Sequence, residues 1–483
     1  MKIKSLLIIL FINLFFGCTK DDSNSVPRDI EINNFIWKGL NQYYLWQADV
    51  PNLADSRFAN QGDLNVFLKG NSNSKDLFYN LLYKPSRLNS TGAVDRFSVI
   101  FDNYSELEGL LSGNTLNNGA DFGLKFKDAS RTTIFGWIRY VLPNSDAAAK
   151  KVVRGMIFYG INGQPLNATN YQSLLSANTY TLNLADYDSG NIMPNNQSIT
   201  LTGTQIAENP VYKTNVINNG THKIGYLMYN GFYSDAANET ALNNAFGQLK
   251  SENLTEFVLD LRYNSGGSIA TATRLASMIK GAYGQVFGKQ QWNAKAQAYY
   301  ESSSPDDLIN YFTDKIGTGA TINSLSLNKI YVLTSKSTAS ASELVINGLK
   351  PYMTVVQLGD VTVGKNVGSV TLYDSPNFGK SGARTTHKYA MQPLVLKIVN
   401  SQGFGDYTSG LLPDNPYVEN FGNLGIIGDA NEPLLKLAID RILGGNRYIT
   451  IQGKKFEEVI NPKAIDNLKT DMYLDNVPNG FLK

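Results

Sequence analysis

The sequence contains very few of the residues that most often carry redox or metal chemistry. Its 483 residues include one cysteine, Cys18, and two histidines, His222 and His387. A single cysteine excludes disulfide bonds within the chain, and the lack of a Cys/His cluster argues against a metal site. We therefore expect a protein that needs neither a metal nor any other cofactor.

An excess of charge of one sign is also missing. Lysine and arginine number 43 and the acids 41, which gives a net charge of +2, and no basic stripe indicates a nucleic-acid partner. Hydrophobic residues make up 42% of the chain and charged residues 17%, a balance that predicts folded cores. At about 150 residues per domain, the length suggests about three domains.

The apolar run at the N-terminus is too short to span a bilayer comfortably. Lys2 and Lys4 precede the run Leu6 to Phe16, which is the pattern of a secretion signal. Phe16-Gly17-Cys18 resembles a bacterial lipoprotein cleavage site. This resemblance implies a signal peptide over residues 1–18, with Cys18 as an acylated N-terminus that anchors the protein to a membrane. An ordinary signal peptide with a stray cysteine is the alternative.

The residues after Cys18 suggest a location in the cell envelope. Residues 19–27 form a polar tether, in which Lys20-Asp21-Asp22 resembles the acidic surface-export signal of some Gram-negative lipoproteins. Thr19 is not the aspartate that commonly retains lipoproteins at the inner membrane. We expect an outer-membrane lipoprotein of a Gram-negative-type bacterium, on one or the other face of that membrane. A tether without any signal is the alternative.

One stretch, from Tyr331 to Lys365, organises the interpretation of the whole chain. It reads YVLTSKSTASASELVINGLKPYMTVVQLGDVTVGK. An apolar run predicts a buried strand, a serine-rich turn follows, and near-helical apolar spacing predicts a helix that starts near Ser340. Unpaired N–H groups at a helix N-terminus favour negative charge, as an acyl-transfer oxyanion requires. Helix capping alone is the simpler role for such a serine.

A base for this serine is hard to find among the histidines. Neither His222 nor His387 lies in a sequence that resembles a Ser-His-Asp triad motif. A lysine can replace histidine when burial lowers its pKa towards neutrality. Lys365 follows Ser340 by 25 residues (365 − 340). A solvated surface charge is the ordinary role of a lysine taken alone.

The two sequence blocks STASASELVINGLK and LGDVTVGK resemble the C-terminal processing (tail-specific) serine protease family. That family uses a Ser/Lys dyad, and the resemblance implies that Ser340 is the nucleophile and Lys365 its base. Ser342 is the competing nucleophile. The resemblance further implies a peptide hydrolase that forms an acyl-enzyme.

A second block, Glu256 to Gly267, reads EFVLDLRYNSGG and resembles the Asp-Leu-Arg…Gly-Gly segment of the same family. In the family, a backbone N–H of this segment and that of the residue after the nucleophile form the oxyanion hole. This implies Gly266 or Gly267 together with Ala341. An ordinary strand–turn–helix connection is the alternative, because a Gly-Gly pair also suits a sharp turn.

The third catalytic residue is not settled by the resemblance. Some members place an acid eleven residues beyond the nucleophile, where this chain has Pro351. Others place a glutamine four residues beyond the lysine, where this chain has Ser369. Others use the acid of Ser-Ala-Ser-Glu, which is Glu343. The sequence therefore leaves the orientation of Lys365 unexplained.

The remaining segments are read as supporting domains. Helical spacing predicts a small N-terminal helical domain over residues 28–108. Residues 109–205 resemble a PDZ domain, in which Phe122, Gly123 and Leu124 match the loop that binds a peptide carboxylate. A structural spacer is the alternative. Residues 206–445 resemble the protease core, for which the family implies an α/β, crotonase-like fold. Residues 446–483 are a C-terminal tail without an assigned function.

The expected protein is a lipid-anchored serine endopeptidase that cleaves extracytoplasmic polypeptides, recognised through their C-termini. The alternative is a catalytically weak or inactive binding protein on the same fold, which recognises peptides or a hydrophobic ligand at the cell envelope. A third class is a surface scaffold that binds free peptide C-termini without turnover. Substrate identity and oligomeric state do not follow from the sequence.

Overall fold

The structure, a computed structural model, describes residues 25–89, 91–445, 456–459 and 472–477. Cys18 and the rest of the predicted signal peptide lie outside the described residues. None of the helices within these ranges combines the length and the apolarity needed to cross a membrane.

The N-terminal part is helical, as its apolar spacing predicted. Asn60 and Asn73 cap two of the helices, since the side-chain oxygen of each accepts a hydrogen bond from a first-turn N–H. The apolar faces of these helices belong to the same hydrophobic cluster as the large sheets below, so this part shares their core. The helices are α1 (Glu31–Tyr43), α2 (Gln61–Lys69) and α3 (Ser74–Asn80).

A short sheet and one helix follow. The order of this sheet is β1-β20-β19, and all of its pairs are antiparallel. The pairing of Val99 with Gln392 joins the N-terminal part to the far end of the chain. The elements are β1 (Val99–Phe101), α4 (Tyr104–Leu111), β19 (Leu372–Tyr373) and β20 (Ala390–Gln392).

Residues 114–207 form an antiparallel sheet with a two-stranded ribbon beside it. The sheet order is β3-β4-β5-β7-β8, β6 pairs with β5, and β2 pairs with β9. One edge of the sheet is therefore β3. The elements are β2 (Asn114–Asn117), β3 (Ala120–Phe126), β4 (Ile134–Val141), α5 (Asp146–Ala149), β5 (Ile157–Ile161), β6 (Gln164–Pro165), α6 (Tyr171–Leu175), β7 (Thr179–Asp188), β8 (Asn191–Thr202) and β9 (Thr204–Ala207).

The central sheet is mostly parallel, which places helices on its connections. Its order is β10-β11-β12-β16-β17-β22, with only β10 antiparallel to its neighbour. The strands are β10 (Val211–Asn219), β11 (His222–Tyr229), β12 (Glu256–Asp260), β16 (Lys329–Thr334), β17 (Thr354–Gly359) and β22 (Asn415–Pro416).

A second six-stranded sheet has the order β13-β23-β18-β21-β14-β15. Its strands are β13 (Gly267–Ser268), β14 (Val286–Trp292), β15 (Ile309–Tyr311), β18 (Val367–Val370), β21 (Leu394–Asn400) and β23 (Met472–Leu474). The helices of this half of the chain are α7 (Ala236–Ser251), α8 (Ile269–Lys280), α9 (Ala294–Ser303), α10 (Ala341–Leu349) and α11 (Pro433–Ile442). The predicted α/β class is thus confirmed.

Both faces of the central sheet are buried, because side chains alternate along each strand. Val332 belongs to the cluster that contains the buried faces of α8 and α10. Tyr331 and Leu333 belong to a second cluster, which contains α11 and part of the β3–β8 sheet. The strand that leads to Ser340 is therefore fixed from both sides.

Two pieces of the C-terminal tail pack against different parts of the molecule. The N–H of Phe126 donates to the carbonyl of Glu457 (2.9 Å), and the N–H of Val459 donates to the carbonyl of Leu124 (3.1 Å). Val459 is buried in the cluster of the β3–β8 sheet. Residues 456–459 thus lie along the edge of β3, while β23 lies between β13 and β18.

A buried group of charges joins the β3–β8 sheet to the central sheet. Arg262 is 0% exposed and pairs with Asp260, Glu432 and Glu419, and Arg154 also binds Glu419, at 2.6 Å. Burial opposes the ionisation of Glu419, but the charges of Arg154 and Arg262 and the hydroxyl of Tyr263 outweigh it. They lower the pKa of Glu419 to about 2. The arginine of the Asp-Leu-Arg block therefore has a structural role.

This group makes stability depend on acid. Because the folded pKa of Glu419 lies below its unfolded value, its contribution is present above about pH 5 and is lost as the pH falls towards 2. We expect Glu419→Gln to lower the free energy of unfolding at pH 7 by about 3–5 kcal/mol, since it removes the closest carboxylate of buried Arg154, which keeps Glu432 at 3.8 Å. The variant should also lose less stability than the wild type between pH 5 and pH 3. Urea unfolding at the three pH values checks this, with Glu252→Gln, an exposed partner of Lys223, as the control.

Candidate active site

Ser340 occupies the turn between β16 and α10 in a backbone conformation that residues other than glycine rarely adopt. Its φ is +64° and its ψ is −117°, and the helix begins at Ala341. A non-glycine residue in this region costs on the order of 1–3 kcal/mol and persists only where the surroundings impose it. The side chain is fully buried, and its Oγ makes no hydrogen bond within the described part of the chain. A buried hydroxyl of this kind indicates a functional position.

The turn is held by hydrogen bonds that it donates to the segment after β12. Thr338 Oγ1 donates to the carbonyl of Leu261 (2.8 Å), and the N–H of Ala339 donates to the carbonyl of Asn264 (3.2 Å). Ser335 Oγ donates to the carbonyl of Arg262. The Asp-Leu-Arg…Gly-Gly block and the serine-rich turn therefore form one unit around Ser340.

Lys365 reaches the same place from the loop after β17. It is 0% exposed, and its Nζ lies 4.6 Å from the centroid of the Phe97 ring. The preceding Gly364 has a φ of +84° and donates its N–H to Glu343. The amine is therefore shielded from water.

Glu343 joins the two predicted catalytic residues. Its Oε2 accepts hydrogen bonds from the N–H of Ser340 (2.7 Å) and from the N–H of Lys365 (2.9 Å). Its Oε1 accepts from Thr362 Oγ1 (2.5 Å) and from the N–H of Gly364 (2.7 Å). One carboxylate oxygen thus binds both backbones, so residues 25 apart in sequence lie side by side.

The burial of Glu343 raises the pKa of its carboxyl group, while the hydrogen bonds from Thr362, Lys365, Ser340 and Gly364 act in the opposite direction. A carboxylate that accepts bonds from several fixed donors is a rigid positioning element. Pro351 and Ser369, the other two positions considered for a third residue, lie in the turn after α10 and on β18. Of the three positions, the structure places Glu343 in contact with both Ser340 and Lys365.

Gly266 lies against Ser340. A Cβ at Gly266 would be 2.6 Å from the Cβ of Ser340, 2.9 Å from its Oγ and 3.1 Å from the nitrogen of Ala341. Ala341 is the first residue of α10, so its N–H has no acceptor within the helix. The N–H of Gly266 donates to Asn264 Oδ1 (2.9 Å), and an oxyanion would have to share or replace that bond. Gly267 has a φ of +138° and pairs with Met472 of β23.

We expect Gly266→Ala to lower the rate of peptide cleavage by a factor on the order of 10²–10³, the cost of one oxyanion donor, because the new Cβ would block access to the N–H of Ala341. The added Cβ would fill the space between Ser340 Oγ and the N–H of Ala341. Gly163→Ala is the matched control, because Gly163 has a φ of +79° and open space around it. It carries the backbone strain without the clash. Equal activity of the two variants would show that Gly266 does not shape the site.

Four residues of the site were not predicted from the sequence, and two of them come from a distant segment. Arg96 donates from its Nη2 to the carbonyl of Gly364 (2.7 Å), and Phe97 covers the amine of Lys365. Both come from the segment before β1, 268 residues away from Gly364 in the case of Arg96. No local pattern marks them, since arginine and phenylalanine side by side are ordinary at surfaces. Asn264 and Thr362 were also missed, although both lie inside the blocks that carried the resemblance.

The other candidate nucleophile, Ser342, and the two histidines have different partners in the structure. Ser342 Oγ donates to the carbonyl of Asn264 (3.1 Å) and is part of the support for the turn. His222 lies at the start of β11, 4.0 Å from Glu256. His387 Nε2 lies 3.0 Å from Asp374 Oδ2 in a separate loop. Within the described ranges, no cluster of His, Cys, Asp or Glu side chains is arranged to hold a metal ion.

Phe122, Gly123 and Leu124 lie on β3, at the sheet edge along which residues 456–459 run. Leu124 is buried in the sheet cluster and Phe122 packs on Phe158 at 5.5 Å. The backbone of Leu124 is already hydrogen-bonded to Val459. The residues predicted to form a carboxylate-binding loop thus lie within a strand, and that strand has a neighbouring segment from its own chain.

Comparison with known proteins gives two matches along the chain. Residues 223–393 match Peptidase family S41, and residues 31–99 match the Peptidase S41 N-terminal domain. The carboxyl-terminal-processing peptidase 2 of Arabidopsis thaliana chloroplasts is 30% identical over 232 residues, which is 47% of this chain and 39% of that protein. The carboxyl-terminal-processing protease of Picosynechococcus is 28% identical over 193 residues, which is 40% of this chain and 41% of that protein. The chain therefore spans about two fifths of the length of these relatives.

Solved structures with a similar fold cover more of the chain. A Bacteroides fragilis protein assigned to the S41 proteases superposes with a TM-score of 0.63 at 25% identity, over 85% of this chain and 97% of that one. The photosystem II D1 C-terminal processing protease superposes with a TM-score of 0.50 at 16% identity, over 85% of this chain and 100% of that one. The second likeness shows the fold alone.

Proposed function

Because residues 223–393 match Peptidase family S41 and residues 31–99 match its N-terminal domain, we propose that this chain is a serine endopeptidase of the C-terminal processing type, with Ser340 and Lys365 as its dyad. The observation that supports this best is the shared carboxylate of Glu343. It binds the backbone N–H groups of both residues, and Ser340 is strained, buried and without a partner for its Oγ among the described residues. A helix cap accounts for the bond from the N–H of Ser340 to Glu343, but it explains neither the bonds from the N–H groups of Lys365 and Gly364 nor the strain at Ser340.

The proposed reaction proceeds in two steps. Ser340 Oγ attacks the carbonyl carbon of the peptide bond while neutral Lys365 takes its proton. The oxyanion that forms is stabilised by the N–H of Ala341 and by the backbone at Gly266 and Gly267. Collapse breaks the C–N bond, and Lys365 gives its proton to the leaving amine. Lys365 then takes a proton from the water molecule that attacks the carbonyl carbon of the acyl-enzyme. The ester C–O bond breaks, Lys365 returns the proton to Ser340 Oγ, and the acid is released.

Glu343 acts in this proposal as a positioning residue. It does not touch the substrate, but it holds the backbones of Ser340 and Lys365 against each other. Its bonds to Thr362 and Gly364 fix the loop from which Lys365 projects. This supplies the orientation that the departures at Pro351 and Ser369 left unexplained.

The substrate and location follow the sequence expectations. We propose that the edge of β3, at Phe122 to Leu124, binds extended peptide ends by strand addition, and that Cys18 is lipidated and anchors the protein to the outer membrane. Labelling of growing cells with a palmitate analogue, compared with a Cys18→Ala variant, tests the anchor. Protease shaving of intact cells tests surface exposure, since an anchored protein that survives shaving is not exposed.

A second candidate function is a catalytically weak binding protein on the same fold. The complete burial of Ser340 and Lys365 favours it, because a polypeptide cannot reach the nucleophile without movement of the covering residues. A serine-reactive phosphonate separates the two functions. A peptidase forms an adduct on Ser340, whereas a binding protein does not react.

The test uses the chain without residues 1–18, incubated with casein, an unstructured substrate. We expect casein fragments to accumulate, the phosphonate to stop this, and mass spectrometry to locate the adduct on Ser340. Fragments without an adduct on Ser340 would assign the cleavage to another residue. Neither fragments nor adduct, with candidate C-terminal peptides present as activators, would favour the binding protein.

A further inference from the structure

A cavity of about 100 Å³ is lined by Ser265, Gly266 and Gly267 among other residues. One water molecule needs about 10–15 Å³ on the same measure, so the cavity has room for a side chain. Because a Cβ at Gly266 would lie 2.6 Å from the Cβ of Ser340, this wall is the backbone that also touches the predicted nucleophile. The cavity is therefore placed to receive a part of the substrate close to the bond under attack.

Two carboxylates face this cavity, Asp121 of β3 and Glu208 after β9, and none of its lining residues is Lys, Arg or His. Arg139 lies outside the lining, with its Nη1 3.8 Å from Asp121 Oδ1, and offsets part of that charge. The hydroxyls of Tyr140 and Tyr233 donate to Glu208, both at 3.2 Å.

The hydroxyl neighbours of Glu208 bring no opposite charge. Burial, and then the carboxylate of Glu208, raise the pKa of Tyr233 well above its usual value. Burial, and then Asp121 and Glu208, do the same for Tyr140. Both hydroxyls therefore stay neutral donors, and the cavity keeps a negative potential that favours a cation.

Asn230 provides a second, independent observation. It lines the cavity and is 3% exposed, yet neither its Oδ1 nor its Nδ2 has a hydrogen-bond partner in the described ranges. A buried polar group without a partner is unfavourable, because it has lost its hydrogen bonds to water and gained none in the protein. Its backbone N–H is used by the carbonyl of Pro210 (2.9 Å), so only the side-chain amide awaits a ligand.

We propose that this cavity is a substrate subsite for the side chain of lysine or arginine, so that the enzyme cleaves next to a basic residue of a polypeptide. The inference rests on the proposed peptidase function. The aliphatic part of such a side chain would pack along Leu110 and Leu142, which line the cavity. Its cationic end would meet Glu208 and Asp121, and the Oδ1 of Asn230 would accept one of its N–H groups.

The first test is kinetic and uses the chain without residues 1–18. Casein fragments locate the cleaved bonds, and peptides based on one cleaved sequence then carry arginine at successive positions on either side of that bond. Each peptide is paired with one that carries citrulline, which has nearly the same shape and no charge. We expect kcat/KM to favour arginine by about tenfold at one position, which corresponds to about 1.4 kcal/mol.

Glu208→Gln should bring that ratio close to one by lowering kcat/KM for the arginine peptide about tenfold. Glu252→Gln, an exposed partner of Lys223, should leave the ratio unchanged. Asp121→Asn is a second variant in case Glu208→Gln does not fold, and it should also reduce the ratio. Cleavage of both peptides at equal rates at every position overturns the subsite and leaves the peptidase intact.

A binding measurement separates this inference from the proposed function. Fluorescence anisotropy with the Ser340→Ala variant uses the arginine and citrulline versions of one casein peptide that is chosen without prior cleavage, and it should give about tenfold tighter binding of the arginine peptide. Selective binding without cleavage by the wild type would support the subsite and overturn the peptidase. Binding without selectivity, together with no cleavage, would overturn both.

Discussion

Replacement of Ser340 by alanine is expected to lower the rate of casein cleavage by a factor on the order of 10⁴–10⁶, the size of effect seen when a catalytic serine is lost. The Oγ has no hydrogen-bond partner within the described ranges, so its removal breaks no contact there. The free energy of unfolding should therefore change by less than about 0.5 kcal/mol. Casein cleavage and thermal unfolding, measured on the same preparation, check both expectations.

The matched control is Ser342→Ala, which changes a serine two residues further on, in the first turn of α10. Ser342 Oγ donates to the carbonyl of Asn264, so this variant loses one hydrogen bond, worth about 1 kcal/mol of stability. It should keep most of its activity. The reverse pattern, with Ser340→Ala active and Ser342→Ala inactive, would assign the nucleophile to Ser342. Wild-type activity in both variants would rule out serine catalysis at this turn.

Replacement of Lys365 by methionine is expected to lower the rate by a factor on the order of 10³ or more, because no proton acceptor would remain for Ser340. Methionine is chosen because Lys365 is fully buried and its amine lies over Phe97. A side chain of similar volume avoids the cavity that alanine would leave. The measurements are the rate of casein cleavage and the rate of adduct formation with a serine-reactive phosphonate.

Lys350→Met is the control for Lys365→Met. Lys350 is exposed at the C-terminal end of α10, so the same change removes a charge far from the proposed chemistry. Both rates should match the wild type. If Lys365→Met cleaves casein as fast as Lys350→Met, another group takes the proton and the proposed dyad is wrong.

Much of the local structure around Ser340 could be predicted because its signals are local. The apolar run at Tyr331 to Leu333 is β16, and the helix begins at Ala341, one residue after the serine. Alternation along a strand, serine at a helix start and Gly-Gly at a turn are each properties of a few consecutive residues. The same holds for α1 to α3, whose apolar faces were predicted from helical spacing.

What could not be predicted arises from contacts between distant parts of the chain. The positive φ of Ser340 has no sequence signal, because serine gives no preference for that region. The four donors to Glu343 come from both ends of a 25-residue interval. Arg96 and Phe97 arrive from the N-terminal part. Sequence reasoning could name Glu343 as one option, but only the folded arrangement distinguishes it from Pro351 and Ser369.

The cavity beside Gly266 illustrates the same limit. Asp121, Glu208 and Asn230 lie in three separate segments, and each reads as an ordinary polar residue of a loop or a strand end. They come together only because the β2–β9 ribbon and the edge of β3 lie next to the central sheet in the folded chain. A specificity pocket built in this way has no linear motif.

The C-terminal tail competes with any peptide end that binds at the edge of β3, as we propose for the substrate. Residues 456–459 occupy the edge of β3, so an incoming peptide end has to exchange with them. Its apparent affinity is then reduced by the fraction of molecules in which the edge is vacant. The same tail continues to β23, whose Met472 pairs with Gly267 beside the nucleophile.

Exchange at the edge therefore acts on a stretch of chain that also completes the sheet at Gly267. Any coupling between the two positions is reciprocal, because linkage requires each ligand to change the affinity of the other by the same factor. A substrate held at Ser340 would then weaken or strengthen the competition at β3 as much as an edge-bound peptide changes access to Ser340. In that case the affinity of the tail for the edge of β3 determines the peptide concentration at which access to Ser340 changes.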